Sequence, residues 1–135
     1  MNYLLDVNAL IALGLEEHEF HRRVSLWVHS TVIRSAQELA TCSITELGFI
    51  RVVAQTPQYG VALSQVRELL LDLRKSSVMK IRFVADALDA SHLPPWVKTA
   101  RQTTDGHLLQ LAQANALVLG TLDARIPGAY LIPEN

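Results

Sequence analysis

Four carboxylates stand where a catalytic site would need them. Asp6 ends the apolar run Met1–Leu5. Glu46 opens a helical stretch after the strand candidate Leu39–Ile44. Asp105 starts a helix at Thr104-Asp105-Gly106, and Asp123 closes Gly120-Thr121-Leu122-Asp123 after the apolar run Leu117–Leu119. Each has an ordinary reading. Asp105 can cap a helix and offset its dipole. Asp123 can be a turn residue, and Glu46 a first-turn acid. Asp6, between an apolar strand and an apolar helix, is the hardest to explain that way. As a set the four point to a metal site. Two carboxylates ~4 Å apart repel by about 4 kcal/mol at an effective dielectric near 20. A cluster of four therefore takes up protons or cations. Oxygen donors without His or Cys suit hard ions, Mg²⁺ or Mn²⁺. Such ions bridge to phosphate and acidify a bound water, so the implied chemistry is hydrolysis of a phosphodiester.

The elements that must position these acids follow from the hydrophobic pattern. Short apolar strands are expected at Met1–Leu5, Leu39–Ile44, Met79–Ala85, Ala116–Leu119 and Ala129–Ile132. Helical spacing is expected over Val7–Leu15, from His18 through Val28, and over Thr45–Ala54, Val61–Leu73 and Asp105–Asn115. Strands alternating with amphipathic helices predict an α/β fold with a mainly parallel sheet. In such sheets ligands bind outside the carboxyl ends of the strands. That rule puts the four acids on one edge.

Size and composition set the bounds. The chain has 135 residues, half of them hydrophobic and 19% charged. A single ordered domain over residues 1–135 is expected. The lone Cys42 excludes an intrachain disulfide and a Cys-based zinc site, and is expected as a small buried hydrophobe. Asp6 interrupts the first apolar stretch and no basic residue precedes it, so neither a signal peptide nor a membrane span is expected, and the location is expected to be cytoplasmic. A net charge of −1 is not the footprint of a general nucleic-acid binder. It leaves room for a nucleic-acid enzyme whose acids reach phosphate through metal ions. Nine of the twelve basic residues are Arg, which favours forked contacts over diffuse charge.

These motifs resemble the PIN-domain ribonucleases, and among them the VapC-type toxins of bacterial toxin–antitoxin pairs. Leu4-Leu5-Asp6-Val7-Asn8-Ala9-Leu10 is similar to the family's first acidic motif. Ser43-Ile44-Thr45-Glu46-Leu47-Gly48-Phe49-Ile50-Arg51-Val52 is similar to the second, Thr103-Thr104-Asp105-Gly106-His107-Leu108-Leu109 to the third, and Leu119-Gly120-Thr121-Leu122-Asp123 to the fourth. The order and spacing span nearly the whole chain. The segment from Pro57 to Ser91 matches in helix pattern only.

The resemblance implies a three-layer α/β/α PIN-like domain with a central, mainly parallel sheet. It implies Mg²⁺ or Mn²⁺ held by Asp6, Glu46, Asp105 and Asp123, with Asn8 and Thr121 supporting the metal shell or its waters. Asp6 and Asp105 bind directly, Glu46 directly or through water, and Asp123 completes the site or holds a second ion. The implied reaction is cleavage of RNA, and the implied partner is a cognate antitoxin that blocks the site.

Other residues carry weaker signals. Arg51 and Arg125 flank the second and fourth motifs and are read either as contacts to substrate phosphate or as solvated surface. His18-Glu19-Phe20-His21 lacks the zinc-protease spacing and reads as a solvated helix start. His107 is expected as a partly exposed helical His, and neither Asp86 nor Asp89 as catalytic. Trp27 is expected in the core and Trp96 as a loop anchor. Leu69-Leu70-Leu71 with Leu73 offers more apolar surface than one buried face needs, read either as burial between layers or as an interface for an antitoxin or a homodimer.

Two competing functions follow from the same residues. A covalent aspartyl phosphate fits Asp6 superficially, but the dehalogenase-type pattern wants a second Asp where this chain has Asn8. A receiver-type site wants an acidic pair after the first strand and a late Lys, and neither is evident. A non-catalytic RNA- or protein-binding module on the same fold is the other. Mn²⁺ affinity separates it from a nuclease.

Overall fold

The computed structural model describes residues 1–134. Five short strands form the sheet: β1 (Tyr3–Leu5), β2 (Leu39–Cys42), β3 (Ile81–Val84), β4 (Val118–Thr121) and β5 (Tyr130–Leu131). Their spatial order is β3-β2-β1-β4-β5, and every neighbouring pair is parallel. Five helices connect them: α1 (Val7–Gly14), α2 (His21–Trp27), α3 (Ser43–Gln55), α4 (Leu63–Arg74) and α5 (Thr103–Ala114).

The sheet is covered on both faces, as parallel sheets require. Alternation along the strands sorts the side chains. Tyr3, Leu5 and Leu39 face one core with Leu10, Trp27, Phe49, Val66 and Leu70 from α1 to α4. Leu4, Ala40, Cys42 and Leu119 face the other, with Leu108, Leu111 and Ala112 of α5. The arrangement is therefore α/β/α, with α1 to α4 on one side and α5 on the other. Cys42 is fully buried, as expected of a small hydrophobe.

Each expected element is present, with shifted ends. The helix expected from Thr45 begins at Ser43, because the Thr45 hydroxyl accepts the Cys42 N–H at 3.0 Å and closes the helix start two residues earlier. The helix expected from His18 begins at His21 and runs on as a π-helical segment, Val28–Val32. In α4, Val66 and Leu70 are buried and Leu69 and Leu73 partly so, whereas Leu63 and Leu71 face solvent. Trp27 is buried and Trp96 packs against the α5 core. No helix among the described residues is long and apolar enough to cross a membrane.

Strand order locates the crevice. The chain steps from β1 outward to β2 and β3, then returns to place β4 on the other side of β1. The connections leaving β1 and β4 thus diverge, and a cleft opens between them at the carboxyl edge.

Candidate active site

Asp6 lies at that point. β1 ends at Leu5, and the Asp6 N–H still donates to the Gly120 carbonyl of β4 at 3.1 Å. Its backbone then turns to cap α1, with Oδ1 accepting the Ala9 N–H at 2.9 Å. Oδ2 accepts from the Thr121 hydroxyl at 2.5 Å. The residue is only 7% exposed. Burial pushes its carboxyl up to about 6, against the pull of the Thr121 and Ala9 hydrogen bonds, and the charges of Asp105 and Asp123 add to the rise.

Thr121 joins two of the acids. Its hydroxyl donates to Asp6 and accepts the Asp123 N–H at 3.0 Å. Asp123 follows in the turn after β4, where Arg125 grips it. Nε meets Oδ1 at 3.0 Å, Nη2 meets Oδ2 at 3.1 Å, and the Arg125 N–H adds a third bond at 2.9 Å. Those bonds hold the Asp123 carboxyl below its ordinary value. Asp105 sits in the first turn of α5, where Gln102 takes the capping position. Its carboxylate accepts no hydrogen bond among the described residues. Burial raises its pKa, Asp123 raises it further, and Arg125 opposes them.

Asp6, Asp105 and Asp123 line one cleft of about 660 Å³, together with Asn8 and Arg125. The remaining walls include Val7, Ile11, Phe20, Val52 and Leu122. A second cleft of about 420 Å³ shares Asp105, Asp123 and Arg125, and adds Trp96 and Arg101. The donors at the junction are carboxylate oxygens, the set that suits a hard divalent ion. Their mutual repulsion is the force such an ion relieves. Among the described residues no three acidic or imidazole groups form a ready-made cage.

The fourth acid stands apart. Glu46 lies in the first turn of α3 and lines neither cleft. Its Oε2 accepts from the Thr41 hydroxyl at 2.6 Å and meets Arg74 Nη1 of α4 at 3.4 Å. Arg51 is exposed on α3 and also lines neither cleft. Arg125 borders both.

One feature differs from the sequence reading. The stretch around His18 is not simply a solvated helix start. His18 is partly buried, its Nδ1 accepts the Phe20 N–H at 3.0 Å, and its Nε2 meets Asn8 Oδ1 at 2.9 Å. His21 Nδ1 bonds the Ala12 carbonyl at 2.7 Å. The signal available was the proximity of two His to the end of α1, which local periodicity does not convey. His107 is the partly exposed helical His that was expected, and its Nε2 lies 2.5 Å from Asp86 Oδ2.

A parallel α/β/α domain with acids gathered at the carboxyl edge, where β1 and β4 part, is the architecture of a PIN-type nuclease. Comparison with known proteins specifies the family. No family model matches the chain. It is 37% identical to ribonuclease VapC38 of Mycobacterium tuberculosis over 129 residues, covering 91% of this chain and 86% of that protein. It is 33% identical to ribonuclease VapC44 of the same organism over 142 residues, covering 96% and 94%. The crystal structure of M. tuberculosis VapC20, a toxin that cleaves the sarcin–ricin loop, has the same fold at a TM-score of 0.61. The match covers 93% of this chain and 92% of that one at 11% identity. The chain belongs to the VapC family of PIN-domain ribonuclease toxins.

Proposed function

We propose that the cleft hydrolyses RNA phosphodiester bonds with Mg²⁺ or Mn²⁺ held by Asp6, Asp105 and Asp123. The observation that carries this reading is the pair Asp6 and Asp105. Both carboxyls are raised by burial and by like charge, in a cleft whose donors are oxygens. When bound, the ion supplies Lewis acidity at the scissile phosphate and lowers the pKa of water there. Asp6 is fixed by its cap bond and by Thr121, so one geometry is preset at the floor of the cleft. Thr121 keeps Asp123 in step with Asp6 through their shared hydroxyl. Glu46, tied to Thr41 and Arg74, takes an outer place and acts through water. Arg125 borders both clefts, and the guanidinium N–H groups it does not give to Asp123 are suited to a phosphate. On this reading the reaction belongs to the cytoplasm, and an antitoxin of the same system covers the cleft.

The test incubates the chain with a mixed RNA pool and Mn²⁺, beside EDTA and Asp105→Asn controls prepared identically. Cleavage is expected only with metal and intact Asp105. Cleavage that survives EDTA or Asp105→Asn would rule out this assignment. Mn²⁺ titration by calorimetry is expected to show binding to the wild type and at least ten-fold weaker binding to Asp105→Asn, as loss of one charged donor implies.

A further inference from the structure

The cleft has more apolar wall than a phosphate needs. Val7, Ile11, Phe20, Val52 and Leu122 line it beside the acids. Phosphate oxygens gain nothing from such a surface, whereas a nucleobase has an apolar face to bury. The Phe20 ring is held in place by its surroundings. The Arg23 guanidinium lies over it, 5.9 Å from the centroid, and the centroid of the His18 ring lies 5.9 Å away.

A polar reader stands in the same cleft. Phe20 N–H donates to His18 Nδ1, so Nδ1 carries no proton. The proton is therefore on Nε2, which donates to Asn8 Oδ1 at 2.9 Å. Burial, which lowers the pKa of His18, keeps the ring in this neutral form. The backbone donor thus fixes the tautomer, and the tautomer fixes which end of the Asn8 amide faces the ring. With its oxygen turned to the His18 ring, Asn8 lines the cleft with an amide whose orientation is fixed, its N–H donors directed away from the ring.

We propose that Asn8 and Phe20 form a nucleobase subsite for a nucleotide flanking the scissile phosphate, with His18 as the positioning residue that makes it favour bases whose purine C6 or pyrimidine C4 carries a carbonyl over those whose same position carries an amino group. An unconstrained Asn reads adenine by donating to N7 and accepting from N6. Here the acceptor is turned to His18, so the exocyclic amino group of adenine or cytosine meets the donor end of the amide rather than its oxygen. Guanine O6 and uracil O4 accept from it. The inference rests on the ribonuclease reading above, so binding and cleavage are measured separately.

For binding, guanosine, uridine, adenosine and cytidine are titrated into the wild-type chain in EDTA and followed by NMR. Neutral nucleosides avoid repulsion by the acids and need no metal. Guanosine and uridine are expected to bind roughly five-fold more tightly than adenosine and cytidine, the worth of one net hydrogen bond. Phe20→Ala is expected to weaken all four about ten-fold through lost stacking. His18→Ala, Asn8→Ala and the double variant are expected to bring the carbonyl-to-amino ratio to about one, with no further change in the double variant. The NMR spectrum of each variant reports its fold in the same sample. For cleavage, oligoribonucleotides differing at one base beside the cut are compared with Mn²⁺ present, and the same ratio is expected in kcat/KM. Equal binding of all four nucleosides by the wild type, no binding, or a ratio unchanged in His18→Ala would each overturn the subsite. Selective binding without cleavage of any RNA would leave the subsite standing and overturn the nuclease reading.

Discussion

At Asp6 the chain holds a carboxylate where burial opposes its charge, and the consequence is measurable without any substrate. The folded pKa of about 6 stands above the ordinary 3.8, so the folded state binds this proton more tightly than the unfolded state does. The stability it contributes is whole below about pH 4 and is lost as pH rises through 6. The loss at pH 7 is about 3 kcal/mol for a shift of this size. Asp105 is shifted in the same direction. Asp123 is shifted in the opposite direction, and its partner Arg125 is 82% exposed, so its effect is screened and small. Urea unfolding of the metal-free chain should therefore show stability falling from pH 4 to pH 7. Asp6→Asn should flatten that fall and raise stability at pH 7 by about 1–2 kcal/mol, because Asn still caps a helix while losing the buried charge. Mn²⁺ should reverse the trend, since a bound cation favours the ionised form. An Asp6→Asn chain less stable than wild type at pH 7 without metal would contradict the account of a strained carboxylate. Asp6, Asp105 and Asp123 are legible in the sequence because each ends a strand or opens a helix. His18 is not, because its partner Asn8 lies ten residues back, across the turn between α1 and α2.

Elements bring these residues together through close approaches that only glycine permits. A Cβ at Gly106 would lie 2.3 Å from Val97 Cγ2 and 3.2 Å from Pro94 Cδ. Gly106 follows Asp105 directly, so α5 reaches its depth against the 94–97 loop at the residue next to the acid. A Cβ at Gly48 would lie 2.6 Å from Val7 Cγ2, which sets α3 against the first residue of α1. Gly106→Ala should push α5 outward and cost about 1–3 kcal/mol, as overpacking does. It should also weaken Mn²⁺ binding, because Asp105 moves with the helix. Val97→Ala placed on top of it removes the clashing methyl and should restore much of both, read by melting temperature and calorimetry. Failure of that second change to rescue Mn²⁺ binding would show that Gly106 acts by something other than this contact. The sequence conveys the order of the elements through period, because strands and amphipathic helices differ in spacing. It does not convey how α3 and α4 dock. Glu46 reads as a fourth member of the cluster, yet its place depends on Arg74 arriving from α4. That contact spans 28 residues and leaves no local trace.

The whole molecule decides how RNA can be held. Its net charge of −1 and its junction of carboxylates repel a polyanion unless cations intervene. The fold places the acids at the one edge where connections diverge, a consequence of strand order that the alternating pattern predicts in kind but not in detail. Two arginines border the second cleft, Arg101 and Arg125, and both are exposed. With two phosphate contacts on a single strand, the slope of log affinity against log salt is about −1.4, from roughly −0.7 for each contact. Fluorescence anisotropy of a labelled, unstructured RNA in EDTA, over a range of KCl, should give a slope of that size with weak overall affinity. Arg101→Ala should bring it to about −0.7. A slope of about −4 or steeper would mean that six or so phosphates are neutralised, and that a basic track away from the acids carries the substrate. The shallow slope is the outcome expected of a molecule that leaves most of the attraction for phosphate to bound metal ions.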